Sequence, residues 1–84
     1  MANSLKEELL GKVVLIKAKG LKPEYAEEKA RAFRVTDGFG AHSFTAGTAL
    51  IGEFLADGEH CRMSGYDVER VLSDEEVRAL GYQP

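Results

Sequence analysis

Apolar and polar positions alternate differently in successive stretches of this chain, and each pattern predicts an element. Lys12 to Ala18 reads Lys-Val-Val-Leu-Ile-Lys-Ala, an apolar β-rich run between lysines, as in a strand buried on both faces. Ala32 to Thr36 alternates strictly, with Phe33 and Val35 on one face and Ala32, Arg34 and Thr36 on the other, which predicts a half-buried strand. From Asp37 to Gly47 three glycines interrupt two phenylalanines and no period survives, so this stretch reads as a loop.

Two short helices are predicted at the ends. Ser4 and Glu7 form a capping box, Leu5 and Leu9 lie on one face, and Gly11 closes a helix over residues 4–10. It is too short to stand alone, so Leu5, Leu9 and Leu10 must dock on the body of the protein or on a partner. Ser73 and Glu76 repeat the capping box over 73–81, with Val77 placed to staple Leu72 and Gly81 as the stop. Over residues 19–30, Pro23, the acids Glu24, Glu27 and Glu28, and the Glu27 to Arg31 spacing favour one or two helical turns, with a long irregular loop as the alternative.

Asp57-Gly58 suits a two-residue type I′ hairpin turn. Setting Ala56 opposite Glu59 then pairs Phe54 with Cys61, Gly52 with Met63, Glu53 with Arg62 and Leu55 with His60. One face becomes Leu50, Phe54, Cys61 and Met63, and the other carries a Glu53 to Arg62 ion pair beside His60. Gly65-Tyr66-Asp67-Val68 reads as a tight turn into a short closing strand ending at Leu72. The expected interior is Val13, Leu15, Phe33, Val35, Leu50, Phe54, Cys61, Met63 and Val68.

Strand, long excursion, strand, loop, strand, hairpin, strand, one turn and short strand resembles the order of an SH3-like small barrel, over residues 12–72. The likeness is strongest at the Asp57-Gly58 hairpin and at Gly65-Tyr66-Asp67-Val68, which resembles the helical turn before the last strand of that fold. The fold it implies is mainly β, a five-stranded SH3-like barrel with short terminal helices; an α+β antiparallel sheet with packed helices is the alternative. SH3 peptide binders add an aromatic run in the first excursion and a tryptophan after the middle loop. This chain has no tryptophan, so recognition of proline-rich peptides does not follow from the likeness.

At 84 residues the chain is expected to be one domain with one core. Its longest apolar run, Val13 to Ile16, falls far short of the ~18 residues of a membrane span, and the stretch from Met1 to Glu8 lacks the apolar core of a secretory leader. With a single cysteine, Cys61, no internal disulfide is possible, and a cytoplasmic protein without a membrane role is expected. The net charge of −3 hides an asymmetry: residues 1–36 carry eight Lys/Arg against five Asp/Glu, and residues 37–84 carry three against nine. A nucleic-acid binder needs a basic face, and only Lys12, Lys17, Lys19, Lys22, Lys29, Arg31 and Arg34 could supply one.

Little of the chemistry-bearing composition forms a motif. His60 and Cys61 are neighbours on a strand and point to opposite faces, and with His42 they lack zinc-site spacing, so neither metal nor cofactor is expected. Cys61, placed on the apolar face, reads as a core residue rather than a nucleophile. Gly38, Gly40 and Gly47 match no phosphate-binding spacing. What remains unexplained is the aromatic, glycine-rich 37–47 loop. The expected function is therefore a non-catalytic interaction module that binds a protein partner through Phe39, His42 and Phe44, with Arg34 and Tyr66 nearby. The alternatives are a nucleic-acid-associated module and an enzyme whose site forms between subunits of a homo-oligomer, where His42 and Tyr66 would matter most.

Overall fold

The computed structural model describes residues 8–18, 27–40 and 48–84. The chain is mainly β. Five strands, β1 (Val13–Ile16), β2 (Ala32–Phe39), β3 (Ala49–Phe54), β4 (His60–Ser64) and β5 (Val68–Val71), form one antiparallel sheet in the order β4-β3-β2-β1-β5. The sheet is open, with β4 and β5 as its edges. A 3-10 turn, Glu28–Arg31, leads into β2, a second, Gly65–Asp67, joins β4 to β5, and an α-helix, Asp74–Ala79, follows β5. Among the described residues, no helix is long and apolar enough to cross a membrane.

All four residues of β1 are buried, as its unbroken apolar run predicts, because both faces of the sheet are covered there. Val14 and Ile16 join Leu9, Phe33, Val35, Leu50, Phe54, Met63 and Val68 in the larger apolar cluster. Val13 and Leu15 face the other way, with Ala32, Leu72 and Val77, under the C-terminal helix. Val13 and Leu15 are interior as expected, in the second cluster, while the first also takes Val14 and Ile16. Cys61 is half-buried and packs on the margin of the larger cluster. Phe33 and Phe54, opposite each other on β2 and β3, meet edge to face with ring centroids 5.2 Å apart.

The C-terminal helix forms as its signals dictate. The Ser73 side chain accepts from the Glu76 amide, and the Glu76 carboxylate accepts from the Ser73 amide. Leu72 and Val77, on either side of that cap, share the second cluster. Gly81, at φ +92°, donates to the Arg78 carbonyl while Tyr82 donates to Val77, the double bond of a Schellman ending. At the other end of the chain, Glu8 and Leu9 are helical and Gly11, at φ +81°, stops the turn where expected. Ser4, Leu5 and Glu7 lie outside the described residues.

Three local expectations are corrected. β2 runs on to Phe39, so Asp37, Gly38 and Phe39 are strand rather than loop; a bulge after Val35 shifts the register and lets the ladder with β3 continue. The β3–β4 register differs by two, pairing Gly52 with Cys61, Leu50 with Met63 and Glu53 with His60. Arg62 therefore lies opposite Ile51, and Glu53 Oε2 meets His60 Nε2 at 3.5 Å. The connecting loop is also longer than a type I′ turn. Gly58 donates back to the Phe54 carbonyl, Phe54 donates to Glu59, and only Gly58 has positive φ, +72°, whereas a type I′ turn needs it at Asp57 as well.

Candidate functional site

The 3-10 turn Gly65–Asp67 is fixed from within and from both sides. Ser64 and Asp67 build a capping box around it: the Ser64 hydroxyl accepts from the Tyr66 amide, and Asp67 Oδ2 accepts from the Ser64 amide at 3.2 Å. On one flank Gly65 donates to the Thr48 carbonyl at 2.8 Å, directly after segment 41–47. On the other, Lys17 donates to the Asp67 carbonyl at 2.8 Å, shortly before segment 19–26. The turn thus bridges the stems of the two long excursions of the chain. Phe39 pairs with Ala49 and Ala49 with Ser64, which brings the end of β2 to the same neighbourhood.

Tyr66 stands outward from this bridge with 62% of its surface exposed. The Lys17 ammonium lies 4.5 Å from the centroid of its ring. That cation–π contact holds the tyrosine in place without burying it, at a modest gain typical of exposed pairs, about 0.5–1 kcal/mol. An exposed aromatic with a cation against its ring is well suited to anchoring an apolar or aromatic group from a partner.

Of the five residues singled out from sequence, the side chains of two, Arg34 and Tyr66, are described, and these two stand apart. Phe39 ends β2 beside the turn; its side chain, His42 and Phe44 lie outside the described residues. Arg34 lies on β2 between Val13 of β1 and Glu53 of β3, near the opposite end of β1 from Lys17 and Tyr66. Its guanidinium is held within the chain, donating to the Gly11 carbonyl at 3.1 Å and to the Gln83 carbonyl at 2.9 Å. Lys17 was missed as a partner of Tyr66, since nothing in the local pattern links two residues so distant in sequence.

The chain matches no family model, no curated protein and no solved structure. The reading of the site therefore rests on its geometry.

Of the seven cations named as a possible basic face, five are described, and not all of these are open to solvent. Arg31 is only 8% exposed and points its guanidinium toward the Ile16 carbonyl, 3.5 Å away. Lys29 lies over the ring of Tyr82, 5.8 Å from its centroid. Lys19 and Lys22 lie outside the described residues. Among the described residues, no group of three His, Cys, Asp or Glu side chains converges as metal ligands would. A cleft of about 660 Å³ opens between Leu9 and Leu10 on one side and Val71 to Ser73 on the other, and it includes neither Tyr66 nor Lys17.

Proposed function

We propose that this domain is a non-catalytic protein-interaction module of SH3-like architecture, which binds a protein partner at the surface centred on Tyr66. The strand order and the 3-10 turn before β5 support the architecture. One observation carries the functional reading: the exposed ring of Tyr66 sits on a turn hydrogen-bonded to the stems of both excursions, through Lys17 and Thr48. Rigid elements presenting an exposed aromatic form a common plan for a recognition surface. Lys17 and Tyr66 form its centre.

The test pairs stability with binding. Tyr66→Ala removes an exposed ring, so its melting temperature should fall by no more than about 2–4 °C. Recovery of the partner captured by the wild-type chain should fall by tenfold or more, as expected when an interface anchor worth about 2 kcal/mol is lost. Capture unchanged by Tyr66→Ala, with Lys17→Ala equally silent, excludes this surface.

A further inference from the structure

The peptide group between Ile16 and Lys17 joins two cations to the turn that carries Tyr66. Its carbonyl faces the Arg31 guanidinium at 3.5 Å, and its N–H donates to the Asp67 carbonyl at 2.8 Å. Arg31 is buried, and its Nε has no acceptor among the described residues. The Lys17 ammonium lies against the Tyr66 ring, and neither cation forms an ion pair among the described residues. Asp67, the acid next to Tyr66 in sequence, is committed to the capping box, where its Oδ2 accepts from the Ser64 amide. Water screens an exposed charge strongly and a buried one far less. Arg31 therefore adds to the positive potential at the Lys17 end of β1, in a chain whose net charge is −3.

Resting on the Tyr66 surface as the interface, we propose that the partner presents an Asp or Glu carboxylate beside an aromatic or large aliphatic side chain. Lys17 takes the carboxylate, and Tyr66 packs against the apolar neighbour. An ammonium has three donor protons, and Lys17 gives none of them to a carboxylate among the described residues, so it accepts one from outside while staying against the ring. At the wet rim of an interface such a pair selects partners more than it tightens binding, because a lysine or arginine set against Lys17 is repelled. The buried charge of Arg31 acts in the same direction.

Selection of a phage-displayed random peptide library on the full chain tests this, run in parallel on Lys17→Met, Lys17→Arg and Tyr66→Ala. Lys17→Met keeps the side-chain stem and every backbone bond, so its melting temperature should stay within about 4 °C of wild type. Peptides held by the wild-type chain should be enriched about threefold in Asp and Glu flanking an aromatic or large aliphatic residue. Lys17→Arg should keep that enrichment, Lys17→Met should lose it while still selecting apolar peptides, and Tyr66→Ala should select neither. A synthetic peptide of the selected sequence should bind wild type about three- to fivefold more tightly than Lys17→Met, with the gap closing as salt is raised. Peptides that need Tyr66 but carry no excess of acids, or an excess that persists against Lys17→Met, would overturn the acidic preference and leave the Tyr66 surface standing. Peptides selected equally by wild type and Tyr66→Ala, or none selected by wild type, would overturn the interface and the preference with it.

Discussion

Gly52 passes so close to the Arg34 carbonyl that a β-carbon at position 52 would fall inside the envelope of that oxygen and 2.9 Å from a ring carbon of Phe33. The contact sits where β2 bulges after Val35, so the glycine is what allows β3 to stay paired across the irregularity. Since the first obstacle is backbone, it cannot swing aside.

Gly52→Ala should therefore be far more damaging than its small volume suggests, costing about 3 kcal/mol or more and lowering the melting temperature by over about 10 °C. Thermal melting followed by circular dichroism measures this directly. A variant that melts within a few degrees of wild type would show that the two strands are farther apart than described.

Gly58 poses the opposite situation. A β-carbon there meets nothing within 4 Å, so only its φ of +72° opposes substitution. Gly58→Val should cost about 1–2 kcal/mol, and Gly58→Asn distinctly less, because asparagine tolerates the left-handed region. Equal melting temperatures for the two variants would contradict the conformation of this loop.

The hairpin also shows what the pattern could and could not reveal. Shifting a strand by two residues moves no side chain to the other face, so the sorting of Leu50, Phe54 and Met63 is the same in the expected and the observed register. Loop length was the deciding quantity, and Asp-Gly serves several loop types equally well. The capping box at Ser73 and Glu76, the staple of Leu72 on Val77 and the two-sided burial of β1 were legible because each depends on residues within one turn or one strand. The extension of β2 to Phe39 was not, since it depends on a bulge stabilised by β3. Tyr66 was legible as a turn residue, while its pairing with Lys17 and the capture of Arg34 by Gln83 arise only when distant segments fold together.

Tyr82 makes the docking of the C-terminal segment sensitive to alkaline pH. Burial, aided by the nearby Asp57 carboxylate, raises the pKa of its phenol above the usual 10.0. The folded state thus favours the neutral phenol, which donates to the Lys29 carbonyl. Its stabilising contribution is complete below the unfolded-state pKa and disappears as pH rises through the folded-state value. Melting temperature should decline above about pH 10 more steeply in the wild type than in Tyr82→Phe. Parallel decline in the two proteins would place Tyr82 outside this linkage.

The recognition surface itself is tested most directly by a photo-crosslinking residue incorporated at position 66 and, as control, at position 75, an exposed site on the C-terminal helix. On irradiation in the cells that produce the protein, position 66 should yield a discrete crosslinked protein species that position 75 does not. Identical products from both positions, or none from position 66, would contradict an interface centred on Tyr66.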